Sequence, residues 1–123
     1  MLTEARANAP RECCGLLAGR NAIITRVFPA RNALASETAF EIAPQELFPI
    51  FRAIREAGLQ HLGIYHSHPN GRLYPSARDI ELAYYPDAAY FVLSPLADAQ
   101  PFARAFRIHD GVVIELVTEI LDD

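Results

Sequence analysis

At 123 residues the chain is long enough to bury one core and too short for two, so a single domain spanning residues 1–123 is expected. An apolar fraction of 51% with 21% charged residues is that of an ordinary globular chain rather than a disordered one, and a formal charge of −4 with scattered arginines argues against nucleic acid as the main partner. No apolar run approaches the ~18 residues of a membrane span, and "MLTEARANAPRE" lacks a cationic and apolar leader, so a soluble cytoplasmic protein with no membrane partner is expected.

In chain order, Leu2 to about Asn8 suits a short helix that Pro10 ends. Cys13 and Cys14 are neighbours that only a strained ring could bridge, and no further cysteines stand at zinc-site spacing. They read as small hydrophobes leading into a buried strand. Cys14–Leu17 and Ala22–Phe28, separated by "AGRN", read as an antiparallel hairpin. A loop, "ARNALASETA", follows Pro29 and leads to a short extended piece at Phe40–Ile42. From Pro44 to Ala57, Leu47, Ile50, Phe51 and Ile54 recur at helical spacing, with Pro44 suited to the first turn and Gly58 to the stop. Pro49 lies inside this pattern and predicts a kink or a later start.

Leu62–His66 reads as a strand running into His68 and Pro69, with "NGRLYP" as the next loop. In "PSARDIELAYY" Ser76 is a natural N-cap with Asp79 three residues on, opening a helix that Pro86 closes. Ala89–Leu93 is an apolar strand, and Phe102–Ile108 and Val112–Val117 flank "HDG", whose Asp-Gly step signals a hairpin. The result is a mixed α/β sandwich without internal repeats. His61 and His109 read as surface residues at strand ends.

The chemistry concentrates in "YHSHPNGRLYPSARD". On a strand His66 and His68 point the same way with Cβ atoms roughly 6 to 7 Å apart, so their imidazoles can share one metal ion. The loop with Pro69, Asn70, Gly71 and Pro75 can fold back to bring Asp79 within reach. Two histidines and an aspartate leave one tetrahedral position open, as a catalytic zinc site requires. Taken alone, His-x-His is more often a pair of exposed strand-end residues, and Ser76 and Asp79 a mere helix cap; one segment supplying all four groups reverses that. Such a site needs a base for the water proton. Glu12 is the candidate, an acidic residue placed against an apolar run about to be buried. Glu37, Glu41 and Glu46 are rivals that spacing does not rank.

"PRECCGLLAG" at 10–19 and the pattern H-S-H-P-x6-S-x2-D, filled by His66, Ser67, His68, Pro69, Ser76 and Asp79, resemble the JAMM (MPN-plus, Mov34 or JAB) zinc metalloprotease family. The likeness extends over nearly the whole chain. It implies a JAMM/MPN-like, cytidine-deaminase-like fold: a curved, mostly antiparallel sheet flanked by helices. It also implies Zn2+ held by His66, His68 and Asp79, with Glu12 as the residue that deprotonates the catalytic water and Ser76 as donor to the oxyanion. The lead-in P-x-E-x-C-G and the Tyr74-Pro75-Ser76 step are most similar to the bacterial branch, which implies cleavage after the Gly-Gly terminus of a ubiquitin-like sulfur-carrier protein. Two departures stand out: the chain starts almost at its first helix, so a family N-terminal strand is expected to be missing or abbreviated, and Asn70-Gly71 is similar to the DNA-repair-associated RadC branch. The competing readings are an inactive MPN-type interaction scaffold, which loses the ligands that this chain keeps, and a RadC-like protein, which the negative charge opposes. A homodimer is left open.

Overall fold

The computed structural model describes residues 1–96 and 102–119. Its elements follow the expected order: α1 (Leu2–Asn8), β1 (Cys14–Arg20), β2 (Ile23–Ala30), α2 (Pro44–Glu56), β3 (Gln60–Ser67), α3 (Ala77–Glu81), β4 (Ala89–Leu93), β5 (Ala103–His109) and β6 (Val112–Leu116). The strands make one six-stranded sheet in the order β2-β1-β3-β4-β5-β6. Every seam is antiparallel except the central one between β3 and β4, where the crossover carries α3. The fold is the mixed α/β, mostly antiparallel one that the sequence predicts. Among the described residues no helix is long and apolar enough to cross a membrane.

Alternation along the strands builds a core on each face. Leu16, Ile64, Tyr90, Val92, Phe106 and Ile108 are buried on one side, where Leu47, Ile50 and Phe51 of α2 and Ile80 of α3 pack on them. On the other side Ala5 of α1 is buried with Cys13, Leu17, Tyr65 and Leu93. There the Tyr65 hydroxyl donates to the Glu4 carboxylate. Both cysteines are buried free thiols, and desolvation pushes the Cys14 thiol up to about 12, so it stays protonated.

Three details depart from the sequence reading, and one, in α2, decides between alternatives it left open. "AGR" belongs to β1, and the turn is made by Asn21 and Ala22 at φ 53° and 63°, the left-handed pair that a two-residue hairpin loop demands. Gly19 marks the reason: a Cβ there would stand 1.8 Å from the Ile23 carbonyl oxygen, so this glycine serves a close strand approach at a register shift. The Phe40–Ile42 piece joins no strand of the sheet; among the described residues its main chain is held by Ala33 N–H donating to the Glu41 carbonyl at 2.8 Å and by Glu41 N–H donating to Asn32 Oδ1 at 3.2 Å. Helix α2 starts at Pro44 and runs on past Pro49, so the later start does not occur. It stops at Gly58, φ 69°, where Gly58 N–H reaches the Arg55 carbonyl and Leu59 N–H the Ile54 carbonyl, both at 3.0 Å. Finally, α3 has only 5 residues and ends well before Pro86. Beyond it the N–H of Tyr85 donates to the Tyr90 hydroxyl at 3.0 Å, a bond to a core side chain that a continued helix would forgo.

Candidate metal centre

The end of β3 positions both histidines. His66 lies on the α2 side of the sheet with Ile64, and the Phe40 ring stacks on its imidazole at 4.6 Å and 18°. His68 follows the last strand residue, yet its N–H donates to the Leu93 carbonyl at 2.8 Å, which prolongs the β3–β4 pairing and keeps its side chain on the same side as His66. His68 Nδ1 lies 2.7 Å from the Arg72 carbonyl oxygen. A carbonyl only accepts, so Nδ1 carries a proton; in the neutral ring Nε2 keeps its lone pair for a metal ion, and in the protonated ring Nε2 donates to Asp79 Oδ2, 3.1 Å away.

Helix α3 positions the carboxylate. Ser76 and Asp79 form a reciprocal capping box: Ser76 Oγ accepts from Asp79 N–H at 3.1 Å, and Asp79 Oδ2 accepts from Ser76 N–H at 2.8 Å. That cap turns Oδ2 towards the histidines. His66 Nε2, His68 Nε2 and Asp79 Oδ2 stand 3.0, 3.0 and 3.1 Å apart, a near-equilateral triangle of metal-ligating atoms. Ligands about 2.0–2.1 Å from a tetrahedral zinc ion stand roughly 3.3 Å from one another, so the triangle fits such an ion with a small expansion.

Glu12 arrives by register. β1 pairs Cys14 with His66, and Ser67 N–H donates to the Cys13 carbonyl at 3.0 Å, so one further step sets Glu12 across from His68. Donor atoms of Glu12, His66 and His68 all lie within 4.8 Å of one another, a set that could hold a metal ion. Glu12 is 3% exposed and its Oε1 has no hydrogen-bond partner among the described residues. A buried carboxylate oxygen without a donor is costly, and an ion or water beside the triangle would satisfy it. Of the three rival glutamates, the half-buried Glu46 accepts from Arg31 N–H, 2.8 Å away, Glu37 is exposed, and Glu41 is exposed while lining the cavity beside His66.

The electrostatics follow from burial and mutual charge. Desolvation raises the Glu12 carboxyl to about 7; the positive potential of His68 opposes this and the charge of Asp79 adds to it. Burial would also raise Asp79, but hydrogen bonds from His66 and His68, the charge of His66 and the Ser76 N–H together hold it well below the usual carboxylate range. Burial lowers His66, against the pull of Asp79. For His68 burial acts the same way, yet the bonds to Asp79 and to the Arg72 carbonyl raise it overall. Two buried carboxyl groups therefore take opposite protonation preferences within one site.

A cavity of about 240 Å³ opens beside His66 and Asp79, walled by Phe40, Ile42, Leu47, Tyr84 and Tyr85. Sequence reasoning identified neither this cavity nor Phe40, whose aromatic ring in a polar loop was the one available signal. His61 is a correction: it is half-buried rather than a surface residue, set edge-on against Phe51 and Tyr85, with Nε2 donating to the Gly63 carbonyl at 2.9 Å. His109 is exposed, as expected, 3.6 Å from Asp110.

Two imidazoles and a carboxylate oxygen stand at ligand spacing, with a second buried carboxylate beside them, a set of groups that could hold a metal ion at the end of a mixed sheet. The chain belongs to the JAB-domain family: the family described as prokaryotic homologs of the JAB domain matches residues 1–109. It is 35% identical over 124 residues to the CysO-cysteine peptidase of Mycobacterium tuberculosis, covering 99% of this chain and 85% of the relative. It is 43% identical over 122 residues to a probable TtuB-protein conjugate cleaving protease of Thermus thermophilus, covering 95% and 78%. A protein of Desulfitobacterium hafniense solved in solution superposes with a TM-score of 0.82 at 36% identity, covering 94% of this chain and 82% of that one. The family expected from the two sequence motifs is the family found, in its prokaryotic branch.

Proposed function

We propose that the protein is a cytoplasmic zinc peptidase that hydrolyses the amide bond after the C-terminal Gly-Gly of a ubiquitin-like sulfur-carrier protein. The observation that carries this reading is the triangle of His66, His68 and Asp79 with the buried Glu12 carboxylate beside it, whose Oε1 has no hydrogen-bond partner among the described residues. In this reading those three residues hold zinc, which when bound would lower the pKa of a water to roughly 7 and polarise the scissile carbonyl. Glu12, with its proton affinity raised to about 7, is matched to take the proton as the water oxygen attacks the carbonyl carbon. It then returns that proton to the amine nitrogen as the C–N bond breaks. Ser76 accepts from Asp79 N–H, which leaves its own hydroxyl proton free to donate to the carbonyl oxygen as negative charge develops there. Glycines at the scissile bond suit the cavity beside His66, because a chain without Cβ atoms can lie close against its aromatic wall. The relatives named for cleaving CysO-cysteine and TtuB-protein conjugates support a protein conjugate as the substrate.

The test is intact-mass analysis of a sulfur carrier bearing a short extension after its Gly-Gly end, incubated with the zinc-loaded protein and, in parallel, with Glu12→Gln. Cleavage after the second glycine by the wild type alone is the expected result. No cleavage by a protein that binds one zinc would overturn the substrate class, and failure to bind zinc would overturn the enzyme and leave a scaffold.

A further inference from the structure

Glu12 stands just outside the β-ladder. Strand β1 begins at Cys14, and the last cross-strand bonds towards Glu12 are those of Cys13, whose N–H donates to Ser67 Oγ at 2.8 Å and whose carbonyl accepts from Ser67 N–H. The main chain of Glu12 is held instead by the loop between β2 and α2. Its N–H donates to the Ser36 carbonyl at 2.8 Å, and its carbonyl accepts from Asn32 Nδ2 at 3.1 Å. Asn32 has no capacity left over: Nδ2 also donates to the Ala39 carbonyl at 2.9 Å, while Oδ1 accepts from Leu34 N–H at 3.1 Å and Glu41 N–H at 3.2 Å. The segment fixed by those last bonds carries Phe40, which stacks on His66, and Glu41 and Ile42, which line the cavity.

We propose that Asn32 is the positioning residue for Glu12: its amide N–H group ties the main chain of the base to the loop that packs on His66, and so fixes the carboxylate against the two histidines. The inference rests on the reading of Glu12 as the base. A carboxylate on an unladdered residue would otherwise rotate with its backbone, and a displacement near 1 Å in such a site costs on the order of a hundredfold in rate. A merely structural Asn32 would act through the loop as a whole. The two roles divide among the four bonds: those to Leu34, Glu41 and Ala39 close the loop upon itself, and the remaining Nδ2 bond alone leaves the loop and reaches Glu12.

Asn32→Asp removes the bond to Glu12 while keeping two of the three bonds that close the loop, and zinc content with Leu16 protection reads whether the loop survives. An aspartate keeps an acceptor for Leu34 and Glu41 N–H and loses both donors, setting an oxygen against the Glu12 and Ala39 carbonyls. The experiment compares Asn32→Asp, Glu12→Gln and wild type for zinc content, kcat and KM on the extended carrier, and reads main-chain hydrogen exchange at Glu12 and Leu16 in the zinc-free proteins. Expected for Asn32→Asp are one bound zinc, KM within a few-fold, kcat lower on the order of a hundredfold, and faster exchange at Glu12 with Leu16 still protected. Unchanged kcat in Asn32→Asp beside an inactive Glu12→Gln would overturn the role of Asn32 and leave that of Glu12 standing. Loss of zinc and of Leu16 protection together would overturn it as well, in favour of a general structural role. A fully active Glu12→Gln would instead remove the base on which the inference rests.

Discussion

Ser76 and Asp79 are bound to each other twice, and one atom of that pair does two jobs: Asp79 Oδ2 accepts the Ser76 N–H at 2.8 Å and also stands 3.0 Å from His66 Nε2. The start of a short helix and a corner of the candidate metal centre are the same hydrogen-bonded unit. Substitutions at the two positions should therefore differ in kind. Ser76→Ala removes the cap acceptor and the free hydroxyl but leaves all three ligand atoms; it should cost about 1 kcal/mol of stability, retain one zinc and lower kcat. Asp79→Asn removes the charge and should bind little zinc. Metal analysis of the two purified variants, beside their denaturation midpoints, checks both.

The Glu12 carboxyl gives the zinc-free protein a pH dependence of definite sign. Burial raises its pKa from 4.5 to about 7 in the folded protein, so between those values the folded chain keeps a proton that the unfolded chain has released. By linkage the stability then falls as pH rises, the full contribution being present below about 4.5 and lost on passing through about 7. Glu12→Gln cannot titrate. Urea denaturation at pH 5 and pH 8 should show the wild type losing stability relative to Glu12→Gln; equal differences at the two pH values would count against the raised proton affinity.

Phe40 stacks flat on the buried His66 ring, and no strand of the sheet holds its segment in place. Phe40→Ala should lower stability by about 2 kcal/mol, less than a fully buried phenylalanine costs because Phe40 is only partly covered. It should also weaken zinc binding by freeing the His66 ring. Isothermal titration of the zinc-free variant is the direct measurement.

Tyr65 provides the control from the opposite face of the sheet. Tyr65→Phe deprives the half-buried Glu4 carboxylate of its donor and should cost about 1–3 kcal/mol while zinc content and kcat stay unchanged. A loss of activity equal to that of Ser76→Ala would show that the two faces are coupled.

Local pattern predicts the elements well where local physics decides them. The Asp110–Gly111 turn, the Gly58 stop and the Ser76 cap all depend on residues within one turn of each other, and all three are where the sequence places them. His-x-His spacing likewise predicts that two imidazoles share a side. The misses lie where a distant partner decides. "AGR" looks like a turn until Ile23 is seen lying against Gly19, and Tyr85 looks helical until Tyr90 claims its N–H. His61 looks exposed until Phe51 and Tyr85 close around it. Asn32 leaves the least trace: its four bonds reach residues 12, 34, 39 and 41, a set with no period, on a loop whose composition is ordinary.

The proton on His68 Nδ1 is held by the Arg72 carbonyl rather than by a side chain. Any of the twenty amino acids would offer the same oxygen at that position, so the tautomer of this ring is insured against point mutation. Position 72, which is exposed, is in consequence one where substitution can alter what the surface presents to a partner, while the lone pair of the neutral ring facing Asp79 stays as it is. His66 has no such insurance, since its Nδ1 is buried without a partner among the described residues, and its orientation rests on the stacked Phe40 ring and on the contacts of Nε2 with His68 and Asp79.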